Sequence, residues 1–170
     1  MTKKTITNIF IENIYQDFSF DEVSFHDDVK KMFIYMLSLE EIKKNYCLNN
    51  IKYSTLVFDI VLCNDEEIHR INREYRKIDR PTDVITFAMF ADSEQSEVFI
   101  IDGEINLGEI IISLDTIKEQ AIQNGVTVND EARLIAAHGM LHLLGFDHQN
   151  TDDYNFVVTT QNKVKDFLNV

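Results

Sequence analysis

Residues 138–148, HGMLHLLGFDH, close the longest apolar run of the chain. The residues from 130 to 145 are nearly all apolar and helix-compatible, which is typical of a helix buried in a core. Thr127, with Asp130 three residues later, is suited to cap the start of this helix. Gly145 allows the chain to leave it through a left-handed residue. The stretch therefore predicts a central helix around which the rest of the chain packs.

Three histidines of this stretch can converge on one point. His138 and His142 lie on one helical face, about 5 to 6 Å apart at Cβ, and the turn through Phe146 and Asp147 can bring His148 back toward them. Imidazole is the commonest protein ligand of zinc, and three protein ligands with one open position are the usual catalytic arrangement. We therefore predict one zinc ion bound by these three histidines and a water.

The same histidine spacing occurs in the metzincin peptidases, whose motif is H-E-x-x-H-x-x-G-x-x-H. Those enzymes carry a glutamate as general base where this chain has Gly139. The metal geometry is kept while the peptidase base is absent. The pattern favours a metal hydrolase without peptidase machinery, and a metallopeptidase-like hydrolase is one alternative.

At residues 138–148 the sequence resembles the YbeY endoribonucleases, whose motif has the form HGxLHLxGYDH, with Phe146 in place of the tyrosine. A second family block is matched by INREYRKIDRPTDVITF at residues 71–87. A third is matched by LGEIIIS at residues 107–113, where Glu109 stands at a position that is commonly aspartate in the family.

This resemblance implies a zinc-dependent, single-strand-specific endoribonuclease of the cytoplasm, acting in 3′-end maturation of small-subunit (16S) ribosomal RNA and in ribosome quality control. Its expected partners are single-stranded RNA, the small ribosomal subunit and assembly factors; neither DNA nor a membrane is expected. A noncatalytic assembly factor with a structural zinc is a further alternative. Such a site would usually have four protein ligands, and only Asp147 could readily supply the fourth.

The densest basic cluster of the chain holds five of its 16 cationic residues: Arg70, Arg73, Arg76, Lys77 and Arg80. An acidic protein needs a local basic cluster to attract phosphates, although most runs of charged residues are solvated helix faces. Arg76 matches the functional arginine of the family and is our candidate catalytic residue. Arg73, Lys77 and Arg80 are candidate RNA contacts or surface residues.

In the predicted mechanism, a zinc-bound water with its pKa lowered to about 7 attacks a phosphodiester while Arg76 stabilises the developing charge. Asp147 either orients a histidine ligand, acts as general base, or serves the turn. An attack by the 2′-hydroxyl of the RNA is the alternative. Thr82 and Asp83 are predicted to fix a turn rather than line the cleft. Glu109 is predicted on the polar side of its strand rather than in the cleft.

Length and composition bound these interpretations. The 170 residues are 45% hydrophobic with one proline, which predicts a single metal-dependent hydrolase domain over residues 1–170. The net charge of -13 argues against indiscriminate coating of nucleic acid or anionic membrane. Cys47 and Cys63 show no pairing pattern, which suits a reducing cytosol. Neither a signal peptide nor a membrane span is indicated.

The fold class predicted from the pattern is α+β, a small mixed sheet packed with about five helices and the metal site at the C-terminal end of a central helix. Strands are expected at residues 5–11, 53–63 and 84–90, and a hairpin joins 98–101 to 104–113 through Asp102-Gly103. Helices are expected at residues 24–44, from Asn64 or Asp65 onward, and at 114–124, 130–145 and 151–168. Ser24 is predicted to cap the first of these. Ile68, Ile71 and Tyr75 would form the buried side of the second.

Overall fold

The computed structural model describes residues 5–15, 19–91, 97–147 and 150–168. This part of the chain forms one four-stranded sheet and six α-helices, with a π-helical turn (Asn72–Arg76) after the third helix. The strands are β1 (Ile6–Asn13), β2 (Thr55–Cys63), β3 (Val84–Ala88) and β4 (Glu104–Ser113). The helices are α1 (Glu22–Ser38), α2 (Glu40–Asn45), α3 (Asp65–Ile71), α4 (Leu114–Asn124), α5 (Val128–Leu143) and α6 (Thr151–Leu168).

The sheet is mixed, as predicted, and has the strand order β1-β2-β4-β3. β1 and β4 both run parallel to β2, and β3 runs antiparallel to β4. The register of β4 against β2 shifts between Val57 and Asp59. Gly108 of β4, with φ +122°, lies at this irregularity, and its backbone N–H donates to Asn106 Oδ1 at 2.8 Å. β3 is therefore an edge strand beside a locally bent β4.

The main core lies between one face of the sheet and the helices, because the apolar residues of β2 and β4 on that face meet α1, α5 and α6. Ile110 of β4 faces α5 and Ile111 faces the other way, since side chains alternate along a strand. On the other face a smaller cluster joins α3 to the sheet and contains Cys63, Ile68, Ile71, Ile85 and Ile111. The sheet is therefore covered by helices on both faces.

The first helix differs from its prediction. It begins earlier, because the Asp21 carboxylate, rather than Ser24, caps it by accepting from the Ser24 N–H at 3.0 Å. The helix is also broken at Leu39, which adopts φ -70° and ψ 130° before α2 starts. The predicted helix over residues 24–44 is thus two helices.

The predicted hairpin through Asp102-Gly103 is wrong. The turn exists, with φ +51° and +81° at these residues, but only an isolated bridge between Ile101 and Glu104 follows it. β4 instead pairs with β2 from Glu104 to Ser113 and with β3 from Gly108 to Ile112. In the described part of the chain, no helix has the length and hydropathy that crossing a membrane requires.

Candidate active site

A groove of about 670 Å³ runs along the outer edge of β3. One side is formed by the end of α5 and the turn after it, and Arg76 of the π-helical turn borders the groove as well. Residues that line it and carry polar or charged side chains are Arg76, Asp83, Thr86, His138, His142 and Asp147. The edge strand thus brings together two segments that lie more than 60 residues apart in sequence.

The two histidines of α5 point their ring nitrogens at one another. Nε2 of His138 and Nε2 of His142 are 2.9 Å apart, and the ring planes are inclined by 77°. Both rings are half-buried. Two imidazole nitrogens at this distance either share one proton in a hydrogen bond or direct their lone pairs at a common cation.

The orientation of these rings follows from how α5 is packed. The Thr127 hydroxyl caps the helix by accepting from the Asp130 N–H at 3.1 Å, as predicted. Gly139 faces the sheet, where a Cβ would lie 2.8 and 2.9 Å from Ile110 side-chain atoms. Only glycine therefore allows the helix to approach β4 this closely. With Gly139 against the sheet, the preceding His138 is turned toward the groove.

The chain leaves α5 through Gly145 at φ +89°, and the Gly145 N–H donates to the His142 carbonyl at 2.9 Å. This turn brings Asp147 Oδ1 to 3.9 Å from His142 Nδ1. His148, the third predicted ligand, lies outside the described residues. Within the described ranges, no group of three His, Cys, Asp or Glu side chains forms a metal site. The three-histidine site stays a prediction.

Arg76 ends the π-helical turn, and a buried asparagine holds the segment that follows. Asn72 is 1% exposed, and its side-chain amide donates to the Arg80 carbonyl at 2.8 Å. Lys77 then takes a left-handed conformation, φ +61°, and its N–H donates to the Asn72 carbonyl. Arg76 is exposed and borders the groove. Arg70, in contrast, is neutralised by Glu67 and Glu74 at 2.6 and 2.9 Å.

The other basic candidates lie elsewhere. Arg73 lines a separate cavity of about 550 Å³ together with His69 and Arg70. The ammonium of Lys77 donates to the Glu74 carbonyl at 2.8 Å, and Arg80 is exposed. Among the described residues that line the groove, Arg76 is the single member of the basic cluster. RNA contacts by Arg73, Lys77 and Arg80 stay predictions.

Asp83 fixes the turn before β3 and also borders the groove. Its Oδ1 accepts from the Val84 N–H and the Thr82 hydroxyl, and its Oδ2 accepts from the Gln120 amide at 3.1 Å. These bonds fix the turn before β3, as predicted, and Asp83 also borders the groove.

Glu109 lies on the sheet face opposite the histidines, since its neighbour Ile110 faces α5. This agrees with the predicted position on the polar side of the strand. Burial, together with the carboxylates of Asp59 and Glu12, raises the pKa of Glu109.

Comparison with known proteins identifies the family, because a model of the family Endoribonuclease YbeY matches residues 10–169. The chain belongs to the YbeY endoribonuclease family. An Endoribonuclease YbeY of Agathobacter rectalis is 41% identical over 123 residues, covering 66% of this chain and 74% of that protein. One of Bacillus pumilus is 44% identical over 110 residues, covering 63% and 69%.

The fold is shared with the solution structure of TM1509 from Thermotoga maritima, with a TM-score of 0.54 and 23% identity over 96% of this chain and 92% of that one. In this YbeY family member, Phe146 takes the place of the tyrosine in the motif. Its ring packs against Phe156 of α6, with ring centroids 4.9 Å apart. The substitution therefore leaves an apolar contact between the turn and the last helix.

One residue next to the groove differs from its prediction. Tyr75 was predicted to be buried on the side of α3, but it is 62% exposed. The π-helical turn begins directly after Ile71 and takes more residues per turn, so a residue four positions on is rotated off the buried stripe. The Tyr75 ring instead contacts Phe87 of β3, with ring centroids 5.4 Å apart. The sequence shows only that an aromatic residue precedes Arg76, and nothing in it signals the exposure of the ring.

Proposed function

We propose that this protein is a metal-dependent endoribonuclease that cleaves single-stranded RNA in the groove along β3. The observation that carries the proposal is the pair of histidine Nε2 atoms, 2.9 Å apart, in the same groove as the exposed Arg76. Membership of the YbeY family supports RNA as the substrate.

The donor chemistry of the groove fits zinc. Two half-buried imidazoles already direct Nε2 at one point, and imidazole nitrogen is a preferred zinc ligand. We propose His138, His142 and His148 as the ligands, with a water completing the coordination. When bound, zinc acts as a Lewis acid and lowers the pKa of a bound water to about 7.

Asp147 has a positioning role in this proposal. Its carboxylate approaches Nδ1 of His142, which favours the tautomer with the proton on Nδ1 and leaves the Nε2 lone pair directed into the groove. Such a carboxylate also raises the basicity of the imidazole. Asp147 is exposed and is also the candidate general base.

Arg76 binds the scissile phosphate. A guanidinium stays protonated at every relevant pH and matches two phosphate oxygens at once. Because the chain carries a net charge of -13, this local cation is what brings a polyanion to an acidic protein. As charge grows on the phosphoryl oxygens, the same side chain stabilises it.

Attack by the RNA's own 2′-hydroxyl is the competing route, and it is distinguishable. A substrate with a single 2′-deoxynucleotide at the scissile position is cleaved if water attacks and resists cleavage if the 2′-hydroxyl attacks. The second route would also leave a 2′,3′-cyclic phosphate on the product.

The biological role that we propose is 3′-end maturation of small-subunit ribosomal RNA and ribosome quality control, in the cytoplasm and in contact with the small subunit and its assembly factors. Family membership supports it. The acidic surface suits basic protein partners, since opposite charges speed association. A peptidase function is disfavoured, because Gly139 packs against Ile110 and its position cannot direct a glutamate into the groove.

The deciding experiment measures metal content and RNA cleavage on the same preparations. We expect His138→Ala to lose both bound zinc and cleavage of a labelled single-stranded oligoribonucleotide. Arg76→Glu should keep its zinc and lose cleavage by about 100-fold or more. Arg70→Gln is the matched control, because Arg70 is ion-paired outside the groove, and it should retain both properties. Zinc binding by His138→Ala that is as tight as in the wild type would contradict the ligand assignment.

A further inference from the structure

We propose that Tyr75 and Phe87 form a stacking site for one nucleobase of a single-stranded RNA bound in the groove. This inference rests on the proposed function and adds a base-binding element to it. The ligand class is a nucleobase of any sequence, since stacking uses the π-face that all bases share.

The geometry of the aromatic pair carries the proposal. The two rings meet edge to face, with centroids 5.4 Å apart and planes inclined by 73°. Phe87 is half-buried and lines the groove, whereas Tyr75 is 62% exposed. An aromatic ring that contacts a groove-lining phenylalanine and is otherwise open to solvent offers area on which another flat group can stack.

The backbone fixes the position of this ring relative to Arg76. Both residues belong to the π-helical turn Asn72–Arg76, which starts at the buried Asn72. Adjacent residues on a helical turn point in different directions. The turn therefore directs Arg76 to the groove while Tyr75 stands against β3. A π-helical turn is itself often found at functional sites.

The charges around the pair select a base over a phosphate. Across the sheet from Phe87 lies Glu109, which pairs with it directly between β3 and β4, and Asp59 follows on β2. These carboxylates repel a phosphate on this face of the sheet. A neutral base is not repelled by them. The sugar-phosphate chain would therefore stay in the groove beside Arg76, and a base would turn over the sheet edge onto Tyr75.

The test compares binding of single-stranded oligoribonucleotides by fluorescence anisotropy. Tyr75→Leu removes the ring, Tyr75→Phe keeps it, and Phe10→Leu is the control, because Phe10 is 60% exposed on the opposite edge strand β1. Stacking on an aromatic ring accounts for about a 5-fold to 150-fold change in affinity per base. We expect a loss of at least about 5-fold for Tyr75→Leu and wild-type binding for the other two variants.

A second arm separates stacking from an effect on the fold. One abasic nucleotide is moved through the oligonucleotide, and we expect one position at which its presence removes the difference between Tyr75→Leu and wild type. The stacking site would be overturned if Tyr75→Leu bound the RNA as tightly as wild type. It would also be overturned if Tyr75→Leu bound more weakly than wild type by the same factor at every position of the abasic nucleotide. If the wild type itself neither bound nor cleaved the RNA, the proposed function would fail instead, so the two failures are distinct.

Discussion

Helix α5 and the π-helical turn both border the groove, but they hold their functional side chains in different ways. α5 is wedged between the sheet and α1, α4 and α6, and Gly139 brings it into contact with Ile110. The turn is exposed and is anchored at Asn72. The imidazoles are thus positioned by close packing, and the guanidinium by a few hydrogen bonds. Substitutions in the two regions should therefore fail in different ways.

The largest effect is expected from filling the space at Gly139. Gly139→Glu places a charged side chain where even a Cβ would meet Ile110 at 2.8 Å. We expect the free energy of unfolding to fall by about 3 kcal/mol or more, measured by urea denaturation.

The control for this variant is Gly125→Glu. Gly125 also carries no side chain, but a Cβ there would meet nothing within 4 Å. The left-handed backbone of Gly125, with φ +67°, is the main source of the expected cost in stability, about 1 to 2 kcal/mol. If Gly139→Glu were as stable as wild type and hydrolysed casein, the packing account would be wrong and the metallopeptidase interpretation would return.

A smaller and more local effect is expected at the anchor of the turn. Asn72→Ala removes the buried amide that donates to the Arg80 carbonyl and should lower the free energy of unfolding by about 1 to 3 kcal/mol. Because the segment around Arg76 loosens while α5 is untouched, zinc content should stay the same and kcat for RNA cleavage should fall.

The matched control is Asn129→Ala, which removes an amide donor to the Asp21 carbonyl at an exposed site. It should change neither stability nor kcat appreciably. A loss of zinc in Asn72→Ala would contradict the separation between the two regions. An unchanged kcat would show that the buried amide does not position Arg76.

The contrast between α5 and the π-helical turn also explains which features of the site the sequence could predict. The start of α5, its Thr127 cap and the shared face of His138 and His142 depend on spacings of three and four residues, which local geometry sets. The outward rotation of Tyr75 depends on a π-helical turn, which no such spacing signals. The Asn72 amide donates to the Arg80 carbonyl beyond the turn, and this bond joins residues eight positions apart that no helical spacing predicts to be close.

The sheet shows this limit on a larger scale. Individual strands were predicted because their apolar and β-branched runs are local features, and the mixed sheet was confirmed. The predicted partner of β4 is wrong. The Asp102-Gly103 turn chemistry favours a hairpin with the preceding segment, residues 98–101. The pairing depends instead on which strands compete for the two edges of β4. The groove along the free edge of β3 could not be predicted without that strand order.

An intermediate effect is expected at the junction between α5 and the groove. Asp147→Asn removes the charge that faces His142 Nδ1 at 3.9 Å. We expect zinc affinity, measured by chelator competition, to fall by about 10-fold, with no change in thermal stability.

Asp79→Asn is the control for this prediction, because Asp79 also pairs with a histidine, His69, at 2.8 Å, but outside the groove. It should leave zinc affinity unchanged. Equal affinity in Asp147→Asn and wild type would assign Asp147 to the turn alone, the other role predicted from the sequence.

The smallest effect is expected at Glu109, on the sheet face opposite the histidines. Its pKa is raised first by burial and then by Asp59 and Glu12, so folding disfavours its charged form. The stability that this carboxyl contributes is present below its unfolded pKa and is lost as pH rises through the folded value. Glu109→Gln avoids that loss. We expect its melting temperature to exceed that of wild type by about 1 to 3 °C at neutral pH, and the gain to disappear in acid.

The pH dependence of the Glu109→Gln variant also tests whether the Arg76 guanidinium, at the end of the π-helical turn, lies near Glu109. An arginine close to Glu109 would lower the pKa of that carboxyl, and the groups that shift it are instead two further carboxylates. Arg76 borders the groove instead. Glu104→Gln, at an exposed position of the same strand, should show no gain at neutral pH. If Glu109→Gln were less stable than wild type at neutral pH, Glu109 would have a cationic partner, and the separation of the two sheet faces by charge would be wrong.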